Sequence, residues 1–256
     1  MTPDASSPAT ELRVEADIES AWRTAADAIA DAVAAGVSAA GTAAVAVSGG
    51  STPRGLHRLL AEPPWVDAIP WGRLHVFWAD ERLVPYDDPA SNYGAARLDW
   101  LDRLARAPAG VHPVPVGLPP ETAADRYAHE LRSHFRGRGA TEPILDLAVL
   151  GIGSDGHTAS LFPGHPALDE GERWTAAVQG GDPDVWRVTL TYPVLNRARR
   201  VLFLAVGDAK AEVVRRVLCD AAPALPAQRV RPAAGAVTWV LDRAAARLLE
   251  DKTACG

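Results

Sequence analysis

Lysine, cysteine and long apolar runs are scarce in this sequence, and each shortage narrows what the chain can be. Only two of its 26 basic residues, Lys210 and Lys252, are lysines. Positive charge is therefore written almost wholly as arginine, and Lys210 is either a functional amine or a leftover of composition, since Lys252 sits in the terminal tail. The two cysteines, Cys219 and Cys255, are too few for a disulfide framework and show no metal-ligand spacing. They point to a reducing, cytoplasmic setting. No apolar run approaches the ~18 residues of a membrane span, and the start MTPDASSPATELRVEAD lacks the basic and apolar regions of a signal peptide. Nor is there an excess of base: 26 Lys and Arg against 32 Asp and Glu leave a formal charge of −6. That balance argues against a surface built to neutralise nucleic-acid phosphates or anionic lipid. A small anionic substrate still fits, because one local cluster of donors can hold a phosphate on an acidic protein.

What is present is an alternation. The alanine-rich stretch from residue 17 to residue 40 has apolar positions at helical spacing and ends before Gly41, so it predicts a long helix. TAAVAVS then reads as a buried strand, SGGSTP as a tight loop, and RGLHRLL as the helix it opens, with Pro53 in the favoured first turn. LHVFWAD, from 74 to 80, is a second buried strand, and NYGAARLDWLDRL is helical in pattern. A short strand near VHPVPV precedes a helix begun by PPETAADRYAHELRSHF. LDLAVLGIG is a third strong strand, with WRVTLTY, RVLFLAVG and AVTWVLD after it and the short helices KAEVVRRVL and RAAARLLE among them. Strands alternating with helices predict the α/β class, a mostly parallel twisted sheet covered by helices on both faces. With no internal repeat and no long linker, one domain over residues 15 to 250 is expected, flanked by loose tails at 1 to 14 and 251 to 256.

Ligands of such sheets gather at the carboxyl ends of strands, and SGGST, DER, GSDGHT and GDAK all fall there. GIGSDG spells G-x-G-x-x-G, the spacing of a dinucleotide turn, but Pro163, Gly164 and Pro166 leave no room for the helix that turn requires. The other reading is that the glycines let the backbone turn sharply and present Asp155 and His157 to a pocket. Histidine suits a general base, and a carboxylate two residues away would orient its ring; the alternative is a histidine that merely fills the loop. Ser48, Gly49, Gly50, Ser51 and Thr52 place free N–H groups at a strand-to-helix junction, where an anion is attracted, unless the loop is an ordinary capped turn. It lacks the G-x-x-x-x-G-K spacing of a triphosphate site. Asp80, Glu81 and Arg82 form either a ligand-edge cluster or a surface ion-pair group. Arg187, inside a strand, is a second arginine suspected of reaching a phosphate or sugar oxygen. His57, His75, His112, His129 and His134 have no partners at metal spacing and receive no role.

Taken in order, SGGSTP, DERLVP, SNYGAAR, LGIGSDGHTASLFPG, RVTLTYPVLNRAR, FLAVGDAKAEVVRRVL, LPAQRV and WVLD resemble the 6-phosphogluconolactonase family, within the wider sugar-phosphate isomerase and lactonase superfamily that includes glucosamine-6-phosphate deaminase. The likeness runs from about residue 15 to 248. DGHTASLFP is specific to the lactonase branch, whereas SGGSTP and the late lysine are shared more widely. The resemblance implies hydrolysis of 6-phospho-D-glucono-1,5-lactone to 6-phosphogluconate without a cofactor or metal, in the cytoplasm, by a monomer or small homo-oligomer with no nucleic-acid or membrane partner. It implies that His157 is the base and Asp155 its acidic neighbour. Ser48 to Thr52, Asp80, Arg82, Arg187 and Lys210 are then substrate or phosphate contacts. Two departures stand out: Ser154 between the glycines, and GGDPDVW before Arg187, which bears on the placement of that arginine. An isomerase or deaminase using a carboxylate at the DER position is the rival on the same fold, and a sugar-phosphate sensor the rival of another class. A sensor should carry a DNA-binding helix pair, for which the residues before the first helix leave no space.

Overall fold

Asp17 and Gly41 bracket the first long helix. The computed structural model, which describes residues 10–220 and 224–249, starts α1 at Ile18–Ala40, with the Asp17 carboxylate accepting from Ser20 N–H and Gly41 closing the helix in the left-handed region. Four of the seven buried residues of this helix are alanine, with Ile29, Val33 and Gly36 beside them, so the helix lies close to the strands it covers. The strands of the main layer are β1 (Thr10–Glu15), β2 (Ala43–Val47), β3 (Leu74–Trp78), β5 (Gly110–His112), β6 (Leu147–Leu150), β9 (Arg200–Ala205) and β10 (Ala236–Asp242). They form one sheet in the order β1-β10-β9-β6-β2-β3-β5, every pairing parallel. The other helices are α2 (Ser51–Leu60), α3 (Trp65–Ala68), α4 (Asn92–Asp99), α5 (Pro120–Gly137), α6 (Tyr192–Leu195), α7 (Ala211–Cys219) and α8 (Arg243–Ala246). The α/β class with a mostly parallel sheet is therefore what the chain adopts. Among the described residues no helix is long and apolar enough to cross a membrane.

Two expectations are corrected. Thr10 to Val14, assigned to a loose tail, belong to β1, which pairs with β10 along all six residues; residues 1–9 and 250–256 lie outside the described residues. LHVFWAD is not one strand. β3 ends at Trp78, and β4 (Asp80–Arg82) joins a second, antiparallel sheet ordered β4-β8-β7 with β7 (Thr175–Gly180) and β8 (Val185–Leu190). Ala79 is the pivot, its N–H donating to Val47 O of the first sheet while its carbonyl accepts from Leu190 N of the second. Beyond the end of β5, the Tyr127 hydroxyl takes the place of a neighbouring strand, donating to Trp78 O at 2.8 Å and accepting from Trp78 N at 2.7 Å. Cys219 ends α7 and is not a free thiol; Cys255 lies outside the described residues.

The strand order decides where a ligand goes. From β2 the chain proceeds outward to β3 and β5, but from β6 it proceeds the opposite way to β9 and β10. Loops leaving two adjacent parallel strands in opposite directions open a crevice at their carboxyl ends. Here those loops are 48–50 after β2 and 151–157 after β6.

Candidate active site

A cavity of about 210 Å³ fills that crevice. Ser48, Gly49, Gly50, Ser51, Thr52, Asp80, Arg82, His157, Arg187 and Lys210 all line it. Asp155 alone of the expected residues stands outside the wall, behind His157.

The glycines of the second loop serve the His157–Asp155 pair, not a dinucleotide. No helix follows Gly156; the chain instead makes a short bridge between Thr158 and Leu161. Gly156 adopts φ +87°, a conformation open chiefly to glycine. Gly153 provides room: a Cβ there would lie 2.1 Å from His157 Nδ1 and 2.7 Å from Asp155 Oδ1. Asp155 Oδ1 accepts from the His157 backbone N–H at 3.0 Å and pairs with His157 Nδ1 at 2.6 Å. Burial works against ionisation of Asp155, but the backbone and ring of His157 together hold its carboxyl below the usual range. An ionised Asp155 accepts only, so Nδ1 is the donor of the pair and Nε2 is the ring nitrogen left free of it. The ring packs on Phe162, centroids 4.7 Å apart, and Ala159, two residues on, takes the rare φ of +49°. Strain of that kind is held only where the surroundings over-determine it.

The rest of the wall is rich in hydrogen-bond donors and positive charge. α2 begins at Ser51 behind Gly50, φ +106°, with no side-chain cap, so its first N–H groups face the crevice unclaimed by a capping side chain. Gly49 is needed for contact, since a Cβ there would strike Asn92 Oδ1. Arg82 and Arg187 stand directly opposite each other on β4 and β8, where like charges repel. Arg187 is 3% exposed; it donates from Nε to Gly180 O at 2.8 Å and from Nη2 to Pro183 O at 3.1 Å, and it lies over Phe162. The glycines and proline before β8 thus fix this arginine, departure from the family pattern notwithstanding. Burial and the charge of Arg82 both lower its affinity for the proton. Arg82 donates to Ala90 O at 2.6 Å. Lys210 follows β9, with Nζ donating to Ile152 O at 2.7 Å, and burial lowers its pKa against the pull of Asp155. Ser48 Oγ, Arg82 Nε and Asn92 Oδ1 are buried without a hydrogen bond among the described residues. Three unsatisfied polar atoms at one cavity fit a ligand rich in oxygen and hydroxyl.

The surface ion-pair reading of Asp80-Glu81-Arg82 fails. Asp80 is 5% exposed and Glu81 wholly buried. Asp80 accepts from Ser160 Oγ at 2.7 Å, with Arg187 Nη1 at 4.0 Å. Glu81 accepts from the backbone N–H of Arg82, Asn92 and Tyr93 and from Ser91 Oγ, so it anchors the start of α4. Sequence reasoning gave no role to Asn92, Ser160 or Phe162; their signal was present in SNYGAAR and GHTASLFP, but contact across 12 or 80 residues has no periodicity to read.

The reading of five histidines as unpartnered is also corrected. His75, His112 and His134 place one ring nitrogen each within 4.8 Å of one another. Pairing of β3 with β5 aligns His75 with Gly110 and Phe77 with His112, and α5 carries His134 over them. No local spacing reveals a group assembled from three elements. His57 is buried and stacked on Trp100, and burial pushes it down to about 4.

These features define an α/β protein with a crevice at the switch point of a parallel sheet, lined by two arginines, a lysine and a histidine. The chain belongs to the glucosamine-6-phosphate isomerase/6-phosphogluconolactonase family, whose pattern matches residues 16–239. It is 46% identical over 213 residues to a 6-phosphogluconolactonase of Rattus norvegicus, covering 82% of this chain and 81% of that one. With a 6-phosphogluconolactonase of Synechocystis sp. it shares 42% over 209 residues, 80% of this chain and 84% of that one. The solved 6-phosphogluconolactonase from Trypanosoma cruzi superposes with a TM-score of 0.82 at 31% identity, over 96% of this chain and 98% of that one. A monomeric glucosamine-6-phosphate deaminase, at 22% identity and a TM-score of 0.76 over 93% and 99%, shares the fold.

Proposed function

We propose that this chain hydrolyses 6-phospho-D-glucono-1,5-lactone to 6-phospho-D-gluconate, the second step of the oxidative pentose phosphate pathway. The observation that carries the reading is one shared cavity: His157, oriented by Asp155, lines the same crevice as Arg82, Arg187, Lys210 and the open start of α2. The names of the similar proteins support it. In this reading the 6-phosphate takes donors from the 48–52 loop and the two guanidinium groups. His157 Nε2 removes a proton from water as its oxygen adds to the lactone carbonyl carbon, and Asp155 stabilises the imidazolium that forms. Lys210 supplies N–H donors to the oxyanion side. The tetrahedral intermediate then expels the ring oxygen, which takes the proton back from His157, leaving the open-chain acid. An isomerase would need Asp80 as a proton shuttle, whereas its carboxylate is held by Ser160 beside Arg187.

The test is the hydrolysis of freshly made lactone, coupled to 6-phosphogluconate dehydrogenase and compared with the spontaneous blank. Wild type should exceed the blank by a wide margin, and His157→Ala should lose about 10²–10⁴-fold in kcat while still folding and binding 6-phosphogluconate. No rate above blank from folded protein overturns the reading. A near-normal rate in the variant removes His157 from the mechanism.

A further inference from the structure

At the other end of β3 from the pocket lies a cluster that the lactonase reading does not use. His75 Nδ1 and His112 Nε2 are 3.0 Å apart. Two imidazole nitrogens bound to one tetrahedral zinc ion at 2.0–2.1 Å are separated by about 3.3 Å, so the pair stands near that spacing already. His134 supplies the third nitrogen within 4.8 Å, and its Nε2 is buried without a hydrogen-bond partner among the described residues. A hydrogen bond between His75 and His112 accounts for two of the rings and leaves the third unexplained. The space between the nitrogens is kept open by Gly110, where a Cβ would lie 2.5 Å from both His112 Nε2 and His75 Nδ1. The far nitrogen of His112, Nδ1, meets Glu130 Oε1 at 2.7 Å. A carboxylate on the outer nitrogen is the usual partner of a metal-bound histidine, fixing its tautomer and raising its basicity. Arg138 is the neighbouring cation, and its guanidinium is committed to Thr42 O and Asp146. The three histidines are half-buried.

We infer that His75, His112 and His134 form a three-histidine site for a divalent ion of the zinc class, with Glu130 orienting His112. An all-nitrogen donor set selects zinc, nickel, copper or cobalt over magnesium and calcium. The site ties the edge strand β5 to the last turn of α5, and it stands or falls independently of the lactonase activity.

The experiment uses the full chain without a histidine tag, stripped by chelator and titrated with zinc calorimetrically, with melting followed in parallel. One equivalent should bind, and zinc at 100 times Kd should raise Tm by about 5 °C. His134→Gln and His112→Asn should each weaken binding at least 100-fold. Glu130→Gln, at a half-exposed position outside the donor set, should weaken it about 10–100-fold, and Gly110→Ala should block it with all three rings present. Asp155→Asn should bind zinc as wild type does. Absence of saturable binding below about 100 µM zinc overturns the site. So does binding that survives His134→Gln or is lost in Asp155→Asn, which would put the ion in the pocket. Should a histidine variant fail to fold, Glu130→Gln and Gly110→Ala carry the decision.

Discussion

A Cβ at Gly153 would fall among His157 Nδ1, His157 Cε1 and Asp155 Oδ1, so even alanine must turn the imidazole away from its carboxylate. Gly153→Ala is expected to lower kcat about 10²-fold, the cost of misplacing a reacting group by about 1 Å, with Tm nearly unchanged; wild-type kcat would mean that the pair is not needed in this geometry. Glu81 offers a pH signature. Burial pushes it up from its ordinary 4.5 to about 7, against the N–H donors of Tyr93, Asn92 and Arg82. The folded state therefore holds a proton that the unfolded chain has released. Stability attributable to Glu81 falls as pH rises from 4.5 to about 7 and is flat above. In urea titrations wild type should lose on the order of 3 kcal/mol relative to Glu81→Gln across that window, and parallel curves would refute the assignment. The contact of His157 with Asp155 was legible because they are two residues apart in one loop. Glu81 was not, because a charged triplet after a strand reads equally well as surface until its donors, 10 to 12 residues on, are seen to close over it.

Among the elements, β4 and β8 carry the least expected arrangement, two arginines in register. Their repulsion is tolerable when an anion sits between them, which divides the effects of mutation. Arg82→Gln should raise KM about 10–100-fold, the loss of one charge-assisted hydrogen bond of ~1.5–3 kcal/mol, while the Tm of ligand-free protein shifts by no more than a few degrees. An unchanged KM would remove Arg82 from the anion site. Helix limits were legible where caps mark them: Asp17 and Gly41 for α1, Ser91 for α4. The break between β3 and β4 was not, because WAD continues the apolar pattern. The chain changes sheets at Ala79, whose carbonyl accepts from Leu190 N–H, 111 residues on. β7 went unread for a related reason: a half-buried strand of Thr, Ala, Val and Gly has little alternation until β8 lies beside it.

For the molecule as a whole, the rule that ligands collect at the carboxyl ends of parallel strands located the pocket before any coordinates did. It could not supply the second sheet, which contributes both arginines from outside the parallel layer. The opposite edge of the main sheet gives a different kind of prediction. β1 covers β10 but leaves Leu12 and Val14 nearly half exposed. Deleting residues 1–15 removes a six-residue ladder and bares β10. Tm should fall by about 10 °C, a few kcal/mol of lost pairing, and the protein should aggregate more readily through the new edge. Turnover per folded molecule should persist, since β10 and β9 separate β1 from β6. A truncated chain as stable as the parent would make β1 an ornament of the sheet.

Lys210 Nζ reaches into the crevice, and the sequence offers few other amines: Lys252 and the chain's own amino terminus. Burial weakens its hold on a proton, leaving more of the free amine that acylating reagents attack. A general amine label thus becomes a reporter of one pocket. The occupancy of the crevice can be followed by mass spectrometry as protection of a single peptide, without a chromophore, a substituted residue or a turnover assay.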